Sequence, residues 1–181
     1  KKRLPWLFIL LGLGLVVSSV VGLFENVVSE LTIVICFQSL ILDMAGNVGT
    51  QSLAVTIRVL MDETLTTKQK FGLVFKEGRV GLVNGLILGS FSLALIGLYI
   101  HFFKGYAWGF AFAVSLCIGA SLLLAMLISS LIGTLVPMFF KKIHIDPAVA
   151  SGPLITTIND LVAVVTYYGL AWIFLLDIMH F

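Results

Sequence analysis

Two groups of oxygen-bearing side chains interrupt apolar stretches of the sequence, and each is spaced to lie on one face of a helix. Asp43, Asn47 and Gln51 follow one another at intervals of four residues, which aligns side chains along a helix. Thr156 stands one helical turn before Asp160. Carboxylate, amide and hydroxyl oxygens are the ligands that hard cations prefer in proteins. These side chains are therefore the first candidates for a cation site.

The second group lies in a segment whose backbone hydrogen bonding is weakened. Thr157 adds a hydroxyl three residues before Asp160, and Gly152 and Pro153 precede both. Pro153 donates no backbone hydrogen bond and crowds the carbonyl four residues earlier, so we expect free carbonyl oxygens near Val149. The candidate ligand atoms of this segment are therefore all oxygens, from those carbonyls, two threonine hydroxyls and one carboxylate.

The elements that must position these residues are membrane helices. Of the 181 residues, 60% are hydrophobic and only 11% are charged, whereas a soluble domain carries about 25% charged residues. The net charge of +2, without a clustered basic surface, excludes nucleic-acid binding. We predict an all-α integral membrane protein, with residues 1–181 forming a single transmembrane domain. A helix needs about 20 apolar residues to cross a bilayer, which predicts five spans: Leu4–Phe24, Leu31–Leu60, Val80–Ile100, Trp108–Phe140 and Ala148–Leu176.

Both aspartates lie deep in these spans. Twelve residues separate Asp160 from Ala148, which places Asp160 about 18 Å into its helix, where a charged aspartate costs at least about 2.5–3.5 kcal/mol. Asp43 lies at a similar depth, and no span carries a lysine or arginine at that depth. Asp160 is thus expected to be protonated, hydrated in a pore or neutralised by an entering cation. For Asp43, a neutral acid bonded to neighbouring helices is an equally good interpretation.

The ligand types narrow the choice of cation. Zinc and copper prefer thiolate and imidazole, but the three histidines lie at helix ends, and Cys36 and Cys117 are predicted to be free, buried thiols away from the polar groups. The candidate cations are therefore Mg²⁺, Ca²⁺, Na⁺ and protons. Mg²⁺ keeps several waters and is held by only one or two carboxylates, which Asp160 from each of two subunits would supply.

The basic residues predict the orientation. Ten of the eleven lysines and arginines fall on one side of the spans, and only Lys104 falls on the other. The positive-inside rule then places the N-terminus in the cytosol and the C-terminus outside, in a cell inner (plasma) membrane. Many transporters bind substrate between two repeats. One five-helix unit has no second repeat, so we expect a two-fold homodimer.

Small residues recur every four positions on the third and fourth spans. They are Gly81, Gly85 and Gly89 on the third, and Ser121, Ala125, Ser129 and Gly133 on the fourth. Such spacing lets membrane helices approach closely. We interpret both stripes as packing surfaces rather than as the lining of a conduit.

The two polar motifs resemble those of the MgtE family of magnesium channels, in its membrane domain. The matching residues are Met44-Ala45-Gly46-Asn47-Val48-Gly49-Thr50-Gln51, then Asp146-Pro147-Ala148, Ser151-Gly152-Pro153, Thr156-Thr157 and Asp160. The resemblance covers the whole chain. It implies a homodimer with an ion path between the subunits, in which Asp160 recognises Mg²⁺ mainly through its hydration shell.

The resemblance also implies roles for three neighbours. Thr156 would line the pore one turn before Asp160. Asp146 would lie at the cytosolic mouth and help to hold regulatory Mg²⁺. Gly152 occupies a position that is Asn in some members, so its side chain offers no ligand. Full-length members carry a cytosolic N-terminal domain and paired CBS modules that regulate the pore. This chain lacks them and starts without Met, so we expect a fragment of a longer protein.

The leading hypothesis is channel-like conduction of largely hydrated Mg²⁺ past Asp160, with Asn47, Gln51, Asp43 and Thr157 supporting the path. A carrier that exchanges divalent cations for Na⁺ or H⁺ is the main alternative. A membrane enzyme with an aspartate dyad is disfavoured, because the motifs lack Gly-x-Ser-x-Gly and His-Glu-x-x-His. A non-transporting assembly subunit would not need acids at that depth. We therefore predict a transporter and not an enzyme.

Overall fold

The computed structural model describes residues 4–62 and 65–178, and it describes their side chains except at 30, 148–151 and 178. The helices are α1 Leu4–Gly22, α2 Glu25–Glu30, α3 Thr32–Leu60, α4 Thr67–Lys104, α5 Trp108–Lys142 and α6 Pro147–Ala171, which continues as a π-helical segment, Trp172–Ile178. No strand occurs within these described ranges. In the described part of the chain, five helices are long and apolar enough to cross a membrane, which confirms the prediction of five helical spans.

Helix α4 begins much earlier than predicted. The expected start at Val80 is wrong, because the helix begins at Thr67. Thr66 caps it: its hydroxyl accepts a hydrogen bond from the backbone N–H of Gln69, and the Gln69 side chain accepts one from the backbone N–H of Thr66. Such a capping box satisfies two unpaired donors of the first turn. The basic segment before Val80 is therefore helical.

The other boundaries agree closely with the predicted spans, with one additional element. The short helix α2 lies in the connection between α1 and α3, where no structure was predicted. Helix α3 continues without a break through Gly46 and Gly49, so the polar motif of the second span does not interrupt its helix. Helix α6 likewise continues through Pro153.

Helix α5 lies at the centre of the fold and packs against α3, α4 and α6. Its contact with α4 is close because the glycines of α4 leave room for it. A Cβ added at Gly81 would lie 2.7 Å from the Cβ of Ser130, and one added at Gly89 would lie 2.7 Å from the carbonyl oxygen of Gly119. The interpretation of the α4 glycines as a packing surface is confirmed. On α5, however, Gly133 faces Gly49 of α3 rather than α4.

The two cysteines are free, but only one is buried. Cys117 lies in the core, whereas Cys36 on α3 is exposed. The prediction that both are buried is wrong for Cys36. An apolar residue type cannot distinguish a protein-facing position from an outward-facing one in a membrane helix, because both environments are apolar.

Candidate cation site

The polar groups of the second and fifth spans meet in one cavity between α3 and α6. The cavity has a volume of about 270 Å³ and is lined by Leu42, Asp43, Gly46, Asn47, Thr50, Thr156 and Asp160. Asp43 and Asp160, which the sequence places at similar depths, therefore line the same space. Four lining residues, Asp43, Asn47, Thr50 and Thr156, are exposed. The cavity is thus open on one side.

On the α3 side, the polar side chains of the lining form hydrogen bonds within the helix. The Asn47 Nδ2 donates to Asp43 Oδ2 at 3.0 Å. The Thr50 Oγ1 donates to the carbonyl oxygens of Gly46 at 2.9 Å and of Asn47 at 3.0 Å. Because a hydroxyl has one hydrogen and two lone pairs, Thr50 is left with acceptor capacity only.

On the α6 side, the threonine hydroxyls also donate to carbonyl oxygens of their own helix. The Thr156 Oγ1 donates to the carbonyl oxygen of Gly152 at 3.1 Å, and the Thr157 Oγ1 donates to that of Pro153 at 3.0 Å. Asp160 is half-buried and receives no hydrogen bond from the residues that the structure describes. Its carboxylate therefore stays available to a partner in the cavity.

The lining presents two carboxylates and two threonine oxygens as hydrogen-bond acceptors, and no lysine or arginine is among the lining residues that the structure describes. The cavity is large enough to hold several water molecules. Within residues 4–62 and 65–178, no group of three or more His, Cys, Asp or Glu side chains is placed to hold a metal ion directly. The acidic groups of the described lining are those of Asp43 and Asp160.

The remaining predicted residues lie outside the cavity lining. Gln51 is exposed and Thr157 is half-buried, and neither belongs to the lining. A Cβ added at Gly152 would meet nothing within 4 Å. Asp146 is exposed immediately before α6 begins. Thr50 was not among the predicted site residues, although its position two helical turns after Asp43 was a usable signal.

The spacing between α3 and α6 is set next to the cavity, where three helices meet. The side chain of Asn159 on α6 is fully buried and lies directly against Gly49 of α3. A Cβ at Gly49 would overlap the Asn159 amide, and a Cβ at Gly133 of α5 would overlap the Gly49 carbonyl oxygen. Glycine at both positions therefore allows α3 to lie close to α5 and α6.

The sequence of the chain is similar to those of known divalent cation transporters. Residues 38–170 match the family model MgtE, described as "Divalent cation transporter". The magnesium transporter MgtE of Enterococcus faecalis is 39% identical over 97% of this chain, and that of Bacillus subtilis is 36% identical over 96%. That of Thermus thermophilus is 32% identical over 93%.

The matched region is only a part of each relative. It covers 37% of the Enterococcus and Bacillus proteins and 35% of the Thermus protein. The chain thus spans a little over a third of the length of the curated relatives it matches. It is a multi-pass membrane protein, and it belongs to the MgtE family of divalent cation transporters.

Proposed function

We propose that this chain forms the ion-conducting part of a magnesium transporter, in which largely hydrated Mg²⁺ passes Asp160. The observation that carries the proposal is the set of acceptors in the cavity between α3 and α6, which are the carboxyl groups of Asp43 and Asp160 and the hydroxyl oxygens of Thr50 and Thr156. Waters bound to Mg²⁺ point their hydrogens outward, and Mg²⁺ gives up these waters reluctantly. A path for the hydrated ion must therefore present acceptors, as Asp160 and the oxygens of Thr50 and Thr156 do.

Passage also requires that the ion is held weakly. A hydrated ion that touches the protein through its waters can leave more easily than one held by a closed set of direct ligands. The inside-negative potential adds about 2.3 kcal/mol per elementary charge per 100 mV, and so about twice that for a divalent ion. Weak binding and the membrane potential favour a channel, in which Mg²⁺ moves down its electrochemical gradient, over a tight-binding carrier.

A second copy of the chain completes the path in this proposal. The cavity is open on one side of the subunit, where Asp43, Asn47 and Thr156 are exposed. A two-fold partner would cover these polar side chains and bring a second Asp160 to the same path. The N-terminus then lies in the cytosol, and Asp146 lies at the cytosolic mouth, where the regulatory part of a longer protein would act.

Removing one charge from the cavity tests the proposal. Asp160→Asn keeps the size of the side chain but removes the carboxylate that faces the cavity. In proteoliposomes loaded with a Mg²⁺-sensitive dye, we expect uptake to fall at least about tenfold, equivalent to about 1.4 kcal/mol. Asp177→Asn is the matched control, because Asp177 is exposed near the end of the described chain and does not line the cavity. Equal uptake by both variants would contradict the role of Asp160.

A further inference from the structure

Basic side chains are concentrated in the first four turns of α4, a segment that the function proposed above does not use. The twelve residues that directly precede the apolar run from Val80 include four of them: Lys68, Lys70, Lys76 and Arg79. Lys70 is half-buried, and the other three are exposed. Glu77 is the only acidic residue of α4, and it is buried. The exposed surface of this segment therefore carries positive charge and no negative charge.

Two exposed phenylalanines lie among these basic residues. Phe71 and Phe75 are 72% and 77% exposed, which leaves two large apolar rings uncovered by the fold. They are one helical turn apart, and Arg79 follows one turn later, so the three side chains lie on one face of α4. We call Lys68, Phe71, Phe75, Lys76 and Arg79 the basic–aromatic surface.

The basic–aromatic surface continues into an exposed apolar face of the same helix. Leu82 and Leu86 follow Arg79 at intervals of three and four residues, which keeps them on the same face, and both are exposed. A different face of α4, with Gly81 and Gly85, packs against α5. Since α4 is long and apolar enough to cross a membrane, its exposed leucines face lipid hydrocarbon. The basic–aromatic surface lies at one end of this lipid-facing stripe.

The direction of α4 brings the charged groups toward the lipid headgroups. Side chains in a helix lean toward its N-terminus, and in α4 the N-terminus is the end beyond the apolar run. The long stems of Lys76 and Arg79 can therefore lie on apolar surroundings while their charged ends reach the headgroups. Phe75 precedes Arg79 by one turn, or about 6 Å, and a headgroup layer is about 5–8 Å thick. Phe75, Lys76 and Arg79 thus lie at the depth of the headgroups.

We propose that the basic–aromatic surface binds anionic phospholipids, with Lys76 and Arg79 contacting the phosphate groups and Phe75 lying against the upper parts of the acyl chains. Basic clusters directly beside a membrane helix attract anionic lipids, and phenylalanine beside lysine and arginine is typical of helices at a membrane surface. The orientation proposed above places this surface at the cytosolic leaflet, whose surface potential is negative. Only that placement rests on the proposed function, whereas the lipid binding does not.

The other end of α4 provides a comparison within the same helix. Phe102 and Phe103 are 67% and 79% exposed, and Lys104 is the only lysine or arginine in the second half of α4. This end therefore has exposed aromatic rings without a basic cluster. We expect lipid contact there as well, but no preference for anionic headgroups.

Quenching of tryptophan fluorescence by brominated lipids tests the surface. The chain is reconstituted into vesicles of equal phosphatidylglycerol and phosphatidylcholine, with bromine on the acyl chains of only one of the two lipids. Phe75→Trp and Phe103→Trp are each compared with the unmodified chain, whose three tryptophans give the background. Phe75→Trp should be quenched at least about twofold more strongly when phosphatidylglycerol carries the bromine, whereas Phe103→Trp should be quenched equally by both lipids.

Two results would overturn the proposal. Equal quenching of Phe75→Trp by the two lipids would show that the surface does not select anionic headgroups. No quenching of Phe75→Trp by either lipid would show that protein covers this face, either a second copy of the chain or another segment.

Removal of charge separates headgroup recognition from apolar contact. In the Phe75→Trp chain, Lys76→Gln combined with Arg79→Gln should abolish the preference for phosphatidylglycerol while quenching by both lipids continues. Lys104→Gln is the matched control, because it removes an exposed lysine from the other end of α4, and it should keep the preference. Salt at 1 M, where the screening length is about 3 Å, should also remove the preference and tests the charges even if the double substitution does not fold. A preference that survives both the substitutions and the salt would overturn the proposal. None of these measurements requires Mg²⁺ uptake, so the proposed function and this proposal fail separately.

Discussion

A methyl group added at Gly49 is predicted to disturb the packing between the two helices that line the polar cavity. The Cβ of an alanine at this position would overlap Asn159 Nδ2 and would lie 3.0 Å from its Cγ and 3.3 Å from its Oδ1. Asn159 is fully buried, so relief of the overlap requires either a shift of its amide within the packed interior or a separation of α3 and α6.

The size of the effect follows from two opposing contributions. Forcing an extra methyl group into a packed core costs about 1–3 kcal/mol, and an overlap with a buried amide belongs at the upper end. Replacing glycine by alanine within a helix returns about 1 kcal/mol. The net loss of about 2 kcal/mol corresponds to a melting temperature lower by about 4–8 °C for a chain of this size.

Gly46→Ala is the matched control for this prediction. Gly46 lies on the same helix, but an added Cβ would meet nothing within 4 Å, so only the gain in helix propensity remains. Thermal unfolding in detergent, followed by tryptophan fluorescence, should place Gly49→Ala below the unmodified chain and Gly46→Ala at or above it. Adding Asn159→Ala to Gly49→Ala should recover part of the loss, because the two residues are in contact. The reasoning is refuted if Gly49→Ala melts no lower than Gly46→Ala.

Two further predictions concern the cavity lining and the start of α4. Thr156→Val removes an acceptor that lines the cavity and should lower Mg²⁺ uptake about fivefold, equivalent to about one hydrogen bond, whereas Thr157→Val, outside the lining, should keep uptake near that of the unmodified chain. Equal losses in both would argue against recognition by the cavity. Thr66→Ala removes the capping box with Gln69 and should lower the free energy of unfolding by about 1 kcal/mol. Thr67→Ala should leave that free energy unchanged, and equal melting of the two variants would show that the cap contributes nothing.

The features that sequence reasoning predicted depend on local periodicity. Long apolar runs identify membrane helices through their length alone, and the four-residue spacing of Asp43 and Asn47 places both on one face of α3. The same logic applies to Thr156 and Asp160 on α6. These two pairs line the cavity. Both could be predicted because the four-residue spacing of each pair lies within a single helix.

The features that sequence reasoning missed depend on contacts between distant parts of the chain. Hydrogen bonds link Ser52, Glu77 and Ser130 from three helices, and no periodic pattern within one helix brings them together. The exposure of Cys36 could not be predicted for the same reason, because the packing of neighbouring helices decides which apolar face of a helix is covered. The start of α4 at Thr67 differs from the predicted Val80 for a different reason: the basic residues after Thr66 interrupt the apolar run on which the span prediction depends, although the capping box with Gln69 can be recognised in the sequence.

The most direct test of the central claim is Mg²⁺ uptake into proteoliposomes with equal Na⁺ and equal pH on both sides, at a series of imposed membrane potentials. A path for hydrated Mg²⁺ past Asp160 predicts uptake without any Na⁺ or H⁺ gradient, uptake that rises as the interior becomes more negative, and loss of both in Asp160→Asn. Uptake that begins only when a Na⁺ or H⁺ gradient is imposed, or that persists in Asp160→Asn, would contradict the account.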